Sequence, residues 1–400
     1  MKKFIFLLAF LLTALNLSSQ LEQQEVTVIN IAVSTRVFDG NKFVDNLKIE
    51  DFELFEDGIP QKIEALYLTN KTHISKAEEY KKFAPQVSRS FYLLFQLLDY
   101  NPKLAEAFDY LFEEVLLPED NLIIMTPVKT YSMPKQALKK FSKEQLSKEM
   151  QSIVRKDITI GSSQYKSIMR DLKKIVRGIS GHRFMTDSES IGGEFSSLSF
   201  SLPRYRQALL DMEKLRVVDE KWLLMFAQQL KRIEGQKNVF FFYQREFRPE
   251  ISPANLSRLI SMNQDNPGVL GDLQDLFQLY HRYTSYDVDK INQAFADVSL
   301  SFNFLFISKE SEHISGIYMR EQSEDVFKTF SEAANATGGI VNSSQNPSFA
   351  FKKALEASES YYLLYYFPKD YKKDGKFKNI EVKVKNKDYK ITYRQGYYAK

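Results

Sequence analysis

The sequence has no cysteine among its 400 residues, and it has only four histidines and one tryptophan. The absence of thiols excludes disulfide scaffolds, cysteine-ligated zinc, iron–sulfur clusters and thiol nucleophiles. The histidines are isolated from one another and form no HExxH pattern, which excludes the zinc hydrolases marked by that motif. No GxSxG nucleophile elbow occurs either. Gly338-Gly339 lacks the surroundings of a phosphate-binding loop and is expected to form a tight turn.

Long apolar runs are also scarce. After the N-terminus no stretch reaches the roughly 18 apolar residues of a transmembrane helix, so no membrane span is expected. Residues 1–20 contain two lysines, then an apolar run, then small and polar residues. This pattern predicts a secretory signal peptide, cleaved between Asn16 and Leu21, and hence a protein that is exported to the periplasm or secreted. The alternative is an uncleaved membrane anchor.

The composition lacks the features of a disordered chain. Hydrophobic residues make up 44% and charged residues 26% of the sequence, and the net charge is only +4. These values are typical of a globular protein. The 32 phenylalanines and 22 tyrosines favour sheets with large buried side chains. At about 100–200 residues per domain, the length predicts two or three domains.

The sequence pattern divides the chain into β, α/β and β regions. Residues 24–68 alternate apolar and polar side chains between turn sequences, which predicts an N-terminal β segment. A polar, lysine-rich link is expected over residues 69–88. Residues 88–345 alternate continuous apolar runs with helical periodicity, which predicts a doubly wound α/β domain. Its buried strands are expected at Phe91–Leu98, Asn121–Met125, Val239–Tyr243 and Leu300–Ile307.

Within the α/β region, residues 133–235 are expected to form a helical insert. The stretch from Lys135 to Arg183 contains 13 Lys or Arg against 4 Asp or Glu, a local excess of +9. This excess could attract an acidic partner, such as an anionic lipid, a polyanionic glycan or an acidic protein face. Amphipathic helices with solvated lysines explain it more simply. No nucleic acid partner is expected, because the protein is predicted to be exported and has no recognition motif.

Strand patterns return at the C-terminal end, over Tyr361–Phe367, Lys378–Val384 and Lys390–Tyr393. Each terminal segment offers only about three strands, too few to bury both faces of a sheet. We therefore expect residues 24–68 and 361–400 to pair into a small β-sandwich module, with the α/β domain inserted between them.

Four strings of residues carry a resemblance to a known family. The first, in the N-terminal segment Val26–Ile63, contains the pattern VxxLxxxDFxLxEDGxxQxI. Further on, an AxxTGG string is followed by YYLLYYFP at Tyr361–Pro368 and by the tail ITYRQGYYAK at Ile391–Lys400. Together with the β, α/β, β order, these strings resemble a family of exported bacterial proteins related to the von Willebrand factor A (VWA) domain. The residues of the first and second patterns are Leu47, Asp51, Phe52, Glu56, Asp57, Gly58, Gln61, Ala334, Thr337, Gly338 and Gly339.

The resemblance implies a Rossmann-like α/β domain that binds partners and catalyses no reaction. The usual ligand device of such domains is a metal-ion-dependent adhesion site. In it, a DxSxS loop after the first strand, a threonine from a second loop and an aspartate after a later strand hold one Mg²⁺ through oxygen ligands. A carboxylate of the partner completes the coordination shell.

Compared with that device, this sequence has lost most of the metal ligands. Asp99 takes the position of the first aspartate, but Asn101 and Lys103 take the two serine positions. A charged ammonium group has no lone pair to donate and repels a divalent cation. Ser162 keeps a hydroxyl for the second loop, whereas Gln244 stands where the late aspartate is expected. We therefore expect a degenerate site with no metal or other cofactor, and Lys103 could place its ammonium in the vacated position.

The remaining carboxylates near this pattern give no stronger signal. Glu246 is the nearest acid to the expected late aspartate, and Arg245 beside it favours a salt bridge or solvent exposure. The pairs Glu113-Glu114 and Glu119-Asp120 are expected to be solvated.

The sequence thus predicts an exported, non-enzymatic protein-binding module whose VWA-like domain carries a degenerate metal site. One alternative is a working adhesion protein that binds Mg²⁺ through unexpected ligands. The other is an envelope hydrolase with an unrecognised site. The pattern does not identify the protein partner.

Overall fold

The computed structural model describes residues 29–180, 198–281, 285–386 and 388–400. The expected signal peptide, residues 1–20, lies outside these ranges. In the part of the chain that is described, no helix is both long and apolar enough to cross a membrane.

The regular elements fall into three successive groups along the chain. The N-terminal strands are β1 (Ile31–Asp39), β2 (Lys42–Phe43), β3 (Phe52–Glu56), β4 (Ile59–Gln61), β5 (Ile63–Asn70) and β6 (His73–Glu79). The central group comprises β7 (Arg89–Gln96), α1 (Leu104–Tyr110), β8 (Asn121–Met125), β9 (Thr130–Ser132), α2 (Ala137–Lys140), α3 (Lys143–Gly161), α4 (Ser163–Ser180), α5 (Leu198–Arg216), α6 (Glu220–Leu230), β10 (Gln236–Gln244), β11 (Phe247–Glu250), α7 (Pro253–Met262), α8 (Pro267–Tyr280), α9 (Val288–Asp297), β12 (Leu300–Ile307), β13 (Tyr318–Glu321), α10 (Glu324–Ala336), β14 (Val341–Ser344) and α11 (Pro347–Glu359). The C-terminal strands are β15 (Ser360–Tyr366), β16 (Phe377–Val384), β17 (Lys390–Tyr393) and β18 (Gly396–Tyr398).

The central sheet has the strand order β9-β8-β7-β10-β12-β14. All its pairs are parallel except the pairing of β8 with the edge strand β9. The chain starts at an inner strand, β7, builds one half of the sheet outward, and then returns to build the other half from β10. This architecture is α/β, and the strand order reverses between β7 and β10.

Strand β10 illustrates why helices cover both faces of this sheet. Successive side chains of a strand point to opposite faces. Phe240 and Phe242 pack into a core with α1, α3 and α11, whereas Val239 and Phe241 pack into a second core with α6, α9 and α10. A strand that is buried on both faces needs a continuous apolar sequence, and this one provides it.

The two ends of the chain form one β-sandwich. Strand β1 pairs antiparallel with β15 and β17, with Ile31 opposite Tyr366, and β3 pairs with β16, with Phe52 opposite Val384. The resulting sheets, β17-β1-β15-β5-β6 and β18-β16-β3-β4, face each other. The pairing supplies each sheet with the strands that neither segment has alone. Their shared core includes Val33, Val37, Leu54, Leu66, Leu364, Ile380 and Val382.

Helices α2 to α6 occupy the described residues of the expected insert. Helices α4 and α5 pack with α7 and α8 in a separate core. The opposite face of α4 exposes basic side chains, among them Lys166, Arg170 and Arg177. The helical core is built on Leu172, Val176, Leu209, Leu273 and Leu276.

Two boundaries differ from the sequence-based expectation. The expected link over residues 69–88 contains β6, which forms a hairpin with β5 at a sheet edge, where most of its side chains are exposed and polar. Helix α11 lies beyond residue 345, the expected end of the α/β domain, but it packs against the central sheet. The domain therefore extends to residue 359, because α11 buries Ala350, Phe351, Ala354 and Leu355 in that core.

Asp120, expected in solvent, is buried instead. Arg89 donates two hydrogen bonds to its carboxylate, from Nη2 at 2.5 Å and from Nε at 3.1 Å. The same Nη2 donates to the carbonyl of Val115 at 2.9 Å, and the backbone N–H of Leu117 donates to Asp120 at 2.8 Å. The pair anchors the start of β7 to the turn before β8. Its neighbour Glu119 is exposed as expected.

Candidate functional site

The carboxyl ends of β7, β10 and β12 meet at one edge of the central sheet. Asp99 follows β7, Arg245 follows β10 and Lys309 follows β12. In open α/β sheets, ligands bind at the carboxyl edge where the strand order reverses, because the loops there diverge and leave a crevice. In this sheet the reversal lies between β7 and β10, so the loop of Asp99 borders that crevice.

Asp99 is held between two lysine ammonium groups. Lys166 Nζ, from the first turn of α4, lies 3.0 Å from Asp99 Oδ1, and Lys309 Nζ lies 2.9 Å from Oδ2. Burial acts to raise the pKa of Asp99, but hydrogen bonds and charges from Lys309 and Lys166 outweigh it, so the pKa lies below its usual value. Asp99 is therefore ionised at neutral pH, with a cation at each oxygen.

These ion pairs contribute little to folding stability. The side chains of Asp99, Lys166 and Lys309 are 42%, 46% and 43% exposed. Exposed ion pairs are worth about 0–1 kcal/mol, because solvent screens the charges and two long side chains lose rotamer freedom. The arrangement instead fixes the position and sign of charge at the sheet edge.

Gln244 supports the Asp99 loop. Its Oε1 accepts hydrogen bonds from the backbone N–H groups of Leu98 and Asp99, at 3.0 and 2.9 Å. The side chain is buried. In this position Gln244 ties the end of β10 to the loop after β7, which holds the Asp99 backbone in place.

Asn101 and Lys103 form the start of α1. Asn101 Oδ1 accepts a hydrogen bond from the Lys103 backbone N–H at 3.0 Å, and Lys103 is the residue that precedes the helix. Lys103 is exposed and does not line the crevice. Lys103 therefore does not place its ammonium group beside Asp99, as the sequence suggested that it could; the ammonium groups in contact with Asp99 belong to Lys166 and Lys309.

Ser162 lies between α3 and α4, where it is buried and its Oγ donates to the Thr159 carbonyl at 3.4 Å. It is not among the residues that line the crevice, whereas Thr159 and Ser163 are. The hydroxyl that the sequence analysis placed in the second metal-binding loop is thus hydrogen-bonded within the junction between α3 and α4.

The crevice beside Asp99 has a volume of about 590 Å³. Five cations and three carboxylates are among the described residues that line it, an excess of two positive charges. Lys173 is paired with Glu312 at 2.6 Å. Apolar side chains such as Met169 and Phe247 complete the wall. The lining cations are Lys166, Arg170, Lys173, Arg245 and Lys309, and the carboxylates are Asp99, Glu310 and Glu312.

The two residues after Gln244 point in different directions. Arg245 Nε donates to Glu321 at 2.8 Å. Glu246 is buried, and it accepts a hydrogen bond from Tyr243 Oη at 2.8 Å. Burial raises the pKa of Glu246 to about 7, against the opposing effects of that hydrogen bond and of the Arg216 charge. Glu246 therefore belongs to the protein interior and does not take the place of the late aspartate.

The sequence contained a signal for Lys309 but none for Lys166. Lys309 comes two residues after the predicted strand Leu300–Ile307, so it belongs to the same sheet edge as Asp99. Lys166 reaches that edge only because α4 packs across it, which no local pattern encodes. In the described residues, no cluster of three or more His, Asp or Glu side chains is arranged to hold a metal ion.

Comparisons with known proteins give little further information. No protein family matches the chain, and no curated protein matches it. A crystal structure of the human COPII-coat protein Sec24c is similar at 7% identity and a TM-score of 0.30, covering 79% of this chain and 44% of that one. The chain thus spans less than half the length of that protein, and a similarity this weak supports no conclusion about fold or function.

Proposed function

We propose that the protein is an exported, non-catalytic binding protein with a VWA-type domain, in which two lysine ammonium groups replace the metal ion of an adhesion site. The strand order β9-β8-β7-β10-β12-β14, with only the edge strand antiparallel, supports the domain type. The sequence resemblance and the β-sandwich made from both chain ends support it further.

The observation that carries the proposal is the position of Asp99 between Lys166 and Lys309. In a metal-dependent site, an aspartate at this edge holds Mg²⁺, and the metal binds the partner's carboxylate. Here the aspartate holds two ammonium groups. Each has three N–H donors and gives one to Asp99, so donors remain for an incoming carboxylate. The site thus offers positive charge to the partner's carboxylate, as a metal-dependent site does, but without a metal ion.

The partner is an acidic protein surface. The crevice has a net excess of two positive charges, and its apolar wall residues Met169 and Phe247 can pack against aliphatic parts of a partner. A carboxylate entering between Lys166 and Lys309 would form charge-assisted hydrogen bonds, which are stronger than neutral ones.

Magnesium fits this set of residues poorly. Mg²⁺ requires near-octahedral oxygen coordination and loses its water reluctantly. Asp99 is the carboxylate at this point, and both its oxygens already face ammonium groups.

The test uses the protein as bait for cross-linked capture from its native envelope, with the Lys166→Gln/Lys309→Gln variant beside it. The matched control is Lys372→Gln/Lys373→Gln, which removes the same charge from exposed residues of the sandwich. We expect a partner that wild type and control capture equally, that the crevice variant captures about tenfold less, and that EDTA does not release. Capture unaffected by the crevice variant, or abolished by EDTA, would overturn the proposal.

A further inference from the structure

A second cavity, of about 470 Å³, lies at the opposite edge of the central sheet. It is lined by the amino ends of β10 and β12 on one side and by the outer face of the sandwich sheet, from β1 and β15, on the other. Both modules of the protein therefore contribute to its walls. Its size lies within the range of about 300–1,000 Å³ that is typical of small-molecule sites.

Among the described residues, three cationic side chains line this cavity, and all of them are buried. Arg36, Lys237 and Arg394 are 3%, 6% and 8% exposed. The described residues that line the cavity include no aspartate or glutamate. Charged side chains are rarely buried unless an opposite charge accompanies them, because removal from water is costly.

The hydrogen bonds of these cations go to neutral groups. Arg36 Nη1 donates to the Gly338 carbonyl at 3.0 Å, Lys237 Nζ to that of Ile233 at 2.9 Å, and Arg394 Nε to that of Gly396 at 3.1 Å. Arg394 Nη1 also contacts Ser299 Oγ. These partners satisfy some donors, but none of them carries a negative charge.

The carboxylate of Asp297 acts on Arg394 but is already engaged elsewhere. Burial lowers the pKa of Arg394 below its usual value, against smaller opposing effects of Tyr366 and Asp297. Asp297 accepts from Lys231 Nζ at 2.6 Å and from the Tyr398 backbone N–H at 2.8 Å. Burial, with a smaller contribution from Arg394, lowers the pKa of Lys237 to about 8.

The residues that line the cavity also include buried polar atoms without partners. Asn238 and Ser301 lie opposite each other on β10 and β12. Both side-chain atoms of Asn238, the Ser301 Oγ, the Gln236 Oε1 and the Arg36 Nε are buried without a hydrogen-bond partner in the described structure. Leaving one such group unsatisfied costs about 1–3 kcal/mol, so a cluster of them in one cavity indicates a polar occupant.

We propose that this cavity binds a small hydroxylated anion, with its phosphate or carboxylate among Arg36, Lys237 and Arg394 and its hydroxyl groups at Asn238 and Ser301. Arginine and lysine donors suit both kinds of anionic group. The amide of Asn238 can both donate hydrogen bonds to hydroxyl groups and accept hydrogen bonds from them. A bare inorganic ion bound among the cations carries no sugar hydroxyls to make these bonds. Sugar phosphates and sugar acids share this chemistry.

Such a ligand would join the two modules. Arg36 and Arg394 belong to the sandwich segments, whereas Lys237, Asn238 and Ser301 belong to the central sheet. An anion between them neutralises charges from both sides and so stabilises their contact. This site is separate from the Asp99 crevice, and its test does not depend on the function proposed for that crevice.

The experiment measures binding to the full chain by calorimetry and thermal unfolding, at constant ionic strength. The probes are glucose 6-phosphate, glucuronate, inorganic phosphate and glucose. We expect the first two to bind and raise the unfolding temperature, with the stronger binder reporting the preferred anionic group, and glucose to have no effect. Inorganic phosphate should bind at least about tenfold more weakly than glucose 6-phosphate. No binding of either sugar anion, or equal binding of inorganic phosphate, would overturn the proposal.

Two variants locate the binding. Lys237→Met removes one charge at similar length and should weaken sugar-anion binding at least about tenfold, while Lys372→Met, at an exposed lysine, should not. Asn238→Asp places a carboxylate inside the cavity, so it should raise the ligand-free unfolding temperature by about 2–4 °C and abolish binding. Unchanged binding in Lys237→Met would show that the anion lies elsewhere and would overturn the assignment, whether or not Asn238→Asp folds.

Discussion

Arg36 Nη1 donates a hydrogen bond of 3.0 Å to the carbonyl oxygen of Gly338, 302 positions later in the sequence. The bond joins the first strand of the sandwich to the turn between α10 and β14 of the central sheet. Thr337 and Arg394 form an isolated antiparallel bridge at the same place. The two modules are thus connected through a short turn that the sequence marks only by its paired glycines.

We predict that Gly339→Ala strongly destabilises the protein. A Cβ at this position would overlap the carbonyl oxygen of Phe302 in β12, and backbone cannot move aside as a flexible side chain can. The expected loss of unfolding free energy is about 3 kcal/mol or more, measured by urea denaturation. Gly271→Ala is the control, because that glycine lies in α8 and a Cβ added to it would meet open space. It should be neutral or stabilising by up to about 1 kcal/mol. Equal effects of the two substitutions would contradict the packing argument.

The buried pair of Arg89 and Asp120 gives a second prediction. Arg89→Met should lower the unfolding free energy by about 3–5 kcal/mol, because it leaves a carboxylate buried without its cation. Arg89→Met/Asp120→Asn removes both charges and keeps an acceptor for the Leu117 N–H, so it should recover much of that loss. Urea denaturation of both variants checks this. A double variant no more stable than the single one would refute the explanation by an unpaired charge.

We predict that the folding stability of the protein depends on pH through the buried carboxyl group of Glu246. Because burial raises its pKa to about 7 in the folded protein, above the value of about 4.5 for an exposed glutamate, the folded state binds the proton more tightly. The contribution to stability is therefore fully present below about pH 4.5 and is lost as the pH rises through about 7. The expected change is on the order of 1–3 kcal/mol.

The measurement compares unfolding free energies of wild type and Glu246→Gln between pH 5 and 8. Any other groups that titrate in this range affect both proteins alike, so the difference between the two profiles isolates Glu246. The variant should lose this part of the slope and be the more stable protein at pH 8. Glu310→Gln, at an exposed carboxylate, serves as the control. Parallel profiles for wild type and Glu246→Gln would contradict the prediction.

We predict that magnesium does not change the melting temperature of the protein, because of the contacts that Asp99 makes. A bound metal stabilises a fold by RT ln(1 + [L]/Kd). Because Lys166 and Lys309 occupy both carboxylate oxygens, millimolar Mg²⁺ and EDTA should give the same melting temperature within about 1 °C. Lys166→Ser/Lys309→Ser removes the competing cations and adds hydroxyl ligands, so a Mg²⁺-dependent rise is expected only there. A rise in the unmodified protein would refute the replacement of metal by lysine.

Local pattern was sufficient to locate much of the fold. The strands β8 and β12 were predicted at their observed bounds, because a strand buried on both faces must be a continuous apolar run. The pairing of the chain ends followed from counting strands too few to stand alone. The sequence pattern does not reveal strand β6, because an exposed edge strand has few apolar residues. Helix α11 was left out of the α/β domain because the domain boundary was placed before it, at residue 345.

The candidate site shows what only the tertiary structure decided. The sequence determined that Asp99 follows a buried strand and that the expected metal ligands Asn101, Lys103 and Gln244 have the wrong chemistry. It did not determine which cations contact Asp99, because Lys166 comes from a helix packed across the sheet edge and Lys309 follows β12, which lies two strands away from β7 in the sheet. Likewise, nothing in the local sequence sets Arg36, Lys237 and Arg394 around one cavity. The sequence specifies which side chains are charged, but charged side chains from distant segments come together only when the sheets and helices pack.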